Sequence, residues 1–147
     1  FPLEKAKKEG YDEVIYLDSV SEDRIEEIGS ANLFIYQNGI LKTPSVSGSI
    51  LKGVTRDSVC KIASKILGIK VEETDIFLPD LFEAEEVFCT GTAVQITPVG
   101  RVTYNKNVYQ YNNGDLGPIT KKLKKTLTGI QTGELNDPFG WLFSVDT

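Results

Sequence analysis

The stretch EEIGSANLFIYQNGILKT (residues 26–43) sets the architecture. Asn38-Gly39 lies between two apolar runs, Leu33 to Tyr36 and Ile40 to Thr43. Asn-Gly is the pair most suited to a two-residue hairpin turn, so two antiparallel strands are expected about it. Ahead of them, Glu26 and Glu27 are adjacent. In extended backbone they point to opposite faces, and one carboxylate alone can face a given pocket. Ile28, Gly29, Ser30 and Ala31, small or apolar, lead into the first strand. Taken alone, two glutamates before a strand are ordinary surface residues.

Upstream, a short helix from Leu3 to Lys8 stops at Gly10 and gives way to an apolar strand, Glu13 to Asp18. Downstream, from Thr55, the period changes to 3.6. Val59, Ile62, Ala63, Ile66 and Leu67 fall on one helical face, with Gly68 as the stop. A strand is expected around Val71 to Ile76, then a short helix opened by Pro79-Asp80 and ending near Glu86. Val87 to Thr90 and Ala93 to Val99 read as strands, and Val102 to Tyr111 as a hairpin turning at Asn105 to Asn107. The last helix starts at Gly117-Pro118, with proline suited to the first helical position, and runs to about Gly133. Trp141 falls in a polar tail. The fold class expected is α/β, as a mixed α+β arrangement.

At 147 residues and 16.3 kDa the chain is one domain's worth, long enough to bury a core. A formal net charge of −5 argues against a nucleic-acid partner, which needs a broad basic surface. The run Lys121, Lys122, Lys124, Lys125 is interleaved with Ile119, Leu123, Leu127 and Ile130, as on the solvent face of an amphipathic helix. No stretch suits a bilayer span or a signal peptide, so no membrane partner is expected. The chain contains no histidine, which removes the commonest metal ligand and general base. No metal site is expected. Cys60 and Cys89 read as free thiols of a reducing, cytoplasmic compartment. Methionine is absent and the chain opens on Phe1, which suggests a piece of something longer with any targeting segment upstream.

Two further stretches carry chemistry. In LKGVTRDS (Leu51 to Ser58), Gly53 permits a tight turn, and Val54 and Thr55 expose backbone N–H groups where a helix begins. That is a ready phosphate site, although Thr55 could equally cap its own helix. In FCTGTAVQITPVG (Phe88 to Gly100) an apolar strand breaks at Gly91-Thr92-Ala93. The break suits either a bulge or close approach of backbone to a ligand, with the Thr92 hydroxyl and the N–H groups of Thr92 and Ala93 as donors. A carboxylate, a phosphate-binding helix start and a turn of free donors together suit an electron-sink cofactor, pyridoxal phosphate.

In this order and spacing, the blocks GYDEVIYLD, EEIGSANLF, SGSILKGVTRDS, EAEEVFCTGTAVQITPVG and GPITKKLKKTLTGIQTGELNDPFGW resemble the branched-chain aminotransferases, fold-type IV pyridoxal phosphate enzymes. The resemblance covers nearly the whole chain. It implies the C-terminal, larger domain of the D-amino-acid aminotransferase-like fold, a pseudo-barrel, over residues 1–147. It also implies an enzyme that moves the amino group of L-leucine, L-isoleucine or L-valine to 2-oxoglutarate, as a homodimer.

By that resemblance, Glu27 pairs with the pyridine nitrogen and Glu26 is its outward neighbour. Ser30 stands near cofactor and substrate, beside Asn32, and Leu51 packs on the cofactor ring. Gly53, Val54 and Thr55 form the phosphate-binding helix start, and Thr92 the second phosphate turn. Thr92 and Ala93 offer N–H groups to the substrate carboxylate. Lys52 replaces the usual proline, and Val94 and Thr97 stand where some animal members carry a Cys-x-x-Cys redox pair, so no such switch is expected. The family's Schiff-base lysine matches none of Lys5, Lys7 or Lys8. It is expected upstream of Phe1, together with the small N-terminal domain, so this piece alone is expected to be inactive. A D-amino-acid aminotransferase or an aminodeoxychorismate lyase would use the same cup, and a non-catalytic domain would use the turns for structure only.

Overall fold

A computed structural model describes residues 2–29, 31–45, 53–91 and 96–140; of Pro2, Glu27 and Val54 it describes the backbone only. Helix α1 (Pro2–Lys8) ends ahead of Gly10, whose φ of 94° suits glycine alone. Strands β1 (Ile15–Leu17) and β2 (Arg24–Ile28) pair antiparallel, and β2 pairs in turn with β6 (Ile76–Phe77). The hairpin of β3 (Asn32–Gln37) and β4 (Ile40–Thr43) turns at Asn38 and Gly39, with φ of 52° and 78°. Both values lie where the favoured two-residue turn needs them, as Asn-Gly predicts.

A second sheet grows from that hairpin. With β5 (Lys70–Glu73), β7 (Glu86–Thr90) and β8 (Ile96–Pro98), it has the order β5-β4-β3-β7-β8. Of its pairings among the described residues, only β4 with β5 is parallel. A parallel neighbour needs a crossover, and helix α2 (Val54–Lys61) provides it. The short helix α3 (Leu78–Phe82), the hairpin of β9 (Arg101–Tyr104) and β10 (Asn107–Gln110), and helix α4 (Pro118–Thr132) complete the fold.

The two faces of the five-stranded sheet carry separate cores, because successive side chains on a strand alternate. Leu33, Ile35 and Val87 meet Ile25, Ile28 and Ile76 of the smaller sheet, with Leu81 and Val102. Phe34, Leu41, Phe88 and Ile96 meet Val59, Ile62 and Ala63 on one side and Leu123, Leu127 and Ile130 of α4 on the other. Phe34 and Phe88 stack at the centre, ring centroids 4.9 Å apart. Burying each such ring contributes roughly 1.5–3 kcal/mol.

Three expectations need correction. Residues 62–66 form a π-turn, in which Leu67 N–H donates to Ile62 O five residues back. The extra residue rotates Ile66 off the apolar stripe, and it is 41% exposed. The strand expected across Val71 to Ile76 is two strands in different sheets, separated at Thr74-Asp75. Helix α3 ends at Phe82 rather than near Glu86, which instead begins β7. Ile25 and Ile28, three apart, are both buried, because Ile25 opposes Leu17 while Glu27 opposes Tyr16, leaving Glu26 as the extra residue of a bulge. Simple alternation therefore does not hold between Ile25 and Ile28.

Candidate functional site

The three stretches that carry chemistry meet at the ends of β3 and β7. Gly29 enters a tight turn at φ 56°, and Ile28 and Ala31 exchange hydrogen bonds across it, which delivers the chain from β2 into β3. Asn32, first in β3, lies directly opposite Thr90, last in β7, so their side chains share a face. Gly53 packs against Asn32: a Cβ added there would come within 2.7 Å of Asn32 Oδ1. Thr55 is buried and its hydroxyl donates to Gly91 O at 3.3 Å.

Thr55 is the second residue of α2 rather than its N-cap, and its hydroxyl is engaged with Gly91. The N-cap of α2 is Gly53, in extended backbone, which has no side chain to cap with. The first intrahelical bond runs from Asp57 N–H to Gly53 O, so the helix does not use the N–H groups of its first turn. Thr55 spends its hydroxyl on Gly91 and binds the helix start to the end of β7. The Thr90 hydroxyl is buried without a hydrogen-bond partner among the described residues. A helix start with glycine as its N-cap, beside a buried hydroxyl without a partner among the described residues, suits an oxyanion ligand such as a phosphate ester.

Among the residues expected at the site, Gly53, Val54 and Thr55 fall together at this point. Glu27 lies in β2, by its backbone, opposite Tyr16. Ser30, Leu51, Thr92 and Ala93 lie outside the described residues. Sequence reasoning passed over Thr90 and Arg56. Thr90 had no separate signal, whereas Arg56 had one: it precedes Val59 by three and Ala63 by seven, on the apolar stripe of the helix. A cavity of about 860 Å³ opens on the other face of the sheet, against Tyr11, Glu13, Ile28, Ala31 and Cys89. Neither Gly53 nor Thr55 borders it, so it is separate from the helix start.

Residues 2–102 match the family described as amino-transferase class IV. The chain belongs to that family, and its mixed α/β fold is that of the fold-type IV enzymes. Over 144 residues it is 44% identical to the mitochondrial branched-chain amino acid aminotransferase 1 of Humulus lupulus, covering 98% of this chain and 36% of that protein. The branched-chain amino acid aminotransferase of Escherichia coli superposes with a TM-score of 0.85 at 40% identity, over 97% of this chain and 45% of that one. The corresponding enzyme of Thermobaculum terrenum, solved in its PLP form, gives 0.78 at 30% identity, over 89% and 41%. The chain thus spans about a third of the curated relative's length.

Cys60 and Cys89 are both free thiols. Burial pushes Cys60 up to about 11 and Cys89 above its ordinary value. The neutral thiol is the unreactive form, so disulfide reagents should modify folded Cys60 slowly at pH 7.5, speeding by about tenfold per pH unit toward 11. Stability should fall as pH rises through the same range. The unfolded thiol ionises near 9 while the folded one holds its proton, and Tyr111, pushed to about 12 chiefly by burial, acts in the same direction. Urea unfolding at pH 8 and pH 10.5 checks the sign, and equal midpoints would contradict it.

Proposed function

We propose that this chain is the C-terminal, cofactor-binding domain of a homodimeric branched-chain aminotransferase. In this reading it moves the amino group of L-leucine, L-isoleucine or L-valine to 2-oxoglutarate with pyridoxal phosphate. The observation that carries the reading is the junction at Thr55 and Gly91, where stretches far apart in sequence meet at a helix start whose N-cap is a glycine. The share of the relatives' length covered supports a longer protein, with a small N-terminal domain and the cofactor-bearing lysine outside these residues. The compartment proposed is the cytoplasm.

When bound, pyridoxal phosphate supplies a protonated pyridine ring that takes up the electron pair left as the substrate's α-proton departs. The chain's own groups hold and orient. The Glu27 carboxylate keeps the proton on the pyridine nitrogen. N–H groups of Val54 and Thr55, with Thr92, hold the phosphate, and Leu51 sets the ring plane beside Ser30. Thr92 and Ala93 receive the substrate carboxylate through their N–H groups, which fixes the α-carbon relative to the ring.

Titration with pyridoxal phosphate, followed by assays of the full-length protein with L-leucine, D-alanine and aminodeoxychorismate, tests this. Saturable binding and turnover of L-leucine are expected. Preference for either other donor would move the protein to a different branch of the fold, and absence of binding would leave the turns structural. Transamination by the 147-residue chain alone would refute the placement of the lysine outside it.

A further inference from the structure

Arg56 is a buried cation with an incomplete set of partners. The residue is 1% exposed. Its Nη1 donates to Glu73 Oε1 at 2.8 Å and its Nη2 to Pro44 O at 3.0 Å, while Nε has no partner among the described residues. The Glu73 side chain is 56% exposed, so water screens the pair and little of the guanidinium's desolvation cost is recovered.

Its position adds to the cost. Arg56 is the third residue of α2, in the first turn, where the positive end of the helix dipole disfavours a cation. Its neighbours on the same stripe, Val59 and Ala63, are apolar and fully buried. For folding alone, an apolar side chain would serve as well. A dianion on the first-turn N–H groups reverses the balance, because buried cation and helix dipole then attract the same charge.

We propose that Arg56 is a positioning residue for a phosphate group held at the start of α2. Its bonds to Pro44 and Glu73 tie that turn to the C-terminal ends of β4 and β5, and its charge adds to the attraction for the phosphate. An independent observation marks the same place: the orphaned Thr90 hydroxyl is 1% exposed and shares a face with Asn32, whose Oδ1 lies against Gly53. The inference rests on the function proposed above.

Its test compares the affinity of the full-length protein for pyridoxal phosphate and for pyridoxal, which lacks the phosphate. The unaltered protein should prefer the phosphate form. R56Q should bind it about tenfold more weakly while keeping its affinity for pyridoxal, and R56K, with the charge but not both bonds, should recover part of the loss. E73Q covers the case in which R56Q fails to fold: it leaves the Arg56 charge unbalanced and should raise the preference. A parallel loss of both ligands in R56Q, or an unchanged preference in E73Q, overturns the role of Arg56. No preference for the phosphate form in the unaltered protein overturns the site itself.

Discussion

Replacing Glu86 with alanine should lower the stability of the fold by about 3 kcal/mol, the upper range for losing a buried charged acceptor and a helix cap together. Glu86 is buried, and its Oε1 accepts from Thr120 N–H and Thr120 Oγ1, both at 2.8 Å, while its Oε2 accepts from Ile119 N–H at 3.1 Å. The N-cap of α4 is Gly117, which has no side chain to cap with, so a strand residue 34 positions before Thr120 does the capping instead. Gly117 is required by this arrangement, since a Cβ there would overlap the Glu86 carboxylate. Glu86→Gln should cost about half as much, because its amide nitrogen would face a backbone donor. Urea unfolding of the three proteins measures this. An alanine variant as stable as the original would show that water replaces the carboxylate without loss.

In the full-length protein, Glu27→Gln should reduce kcat/KM for L-leucine on the order of a hundredfold, with most of the loss in kcat. Glutamine fills nearly the same volume but brings no negative charge to hold a proton on a pyridine nitrogen. On the function proposed above, this should weaken the electron sink and leave phosphate binding unchanged. A spectroscopic pH titration of the bound cofactor separates this from simple loss of cofactor, because the variant should still saturate with pyridoxal phosphate while its absorbance responds to pH differently. A variant within a few fold of the original rate would remove Glu27 from the role given to it.

Local rules carried much of the architecture. Asn38-Gly39 announced its hairpin because the signal lies in two adjacent residues. The Gly117-Pro118 start of α4 and the lysines on its solvent side followed from position and period. What escaped was set at a distance or by one inserted residue. Glu86 looked like the end of an acidic helix, since nothing near it shows that Ile119 and Thr120 need an acceptor. The bulge at Glu26 and the π-turn at residues 62–66 each add one residue to a periodic element, and hydrophobic period alone does not register that. For the site, small motifs with known chemistry pointed to Gly53 and Thr55. The buried guanidinium of Arg56 was overlooked because arginine in a first helical turn reads as solvated.

The outer strands of the five-stranded sheet bear on how copies of this protein can associate. On one margin β5 reads KVEE, three charged residues in four, and on the other β8 ends on Pro98, which has no N–H to give. Charge and proline are what keep a sheet from accepting a foreign strand. Concentrated solutions should therefore not stitch copies into continuous sheets through these two strands.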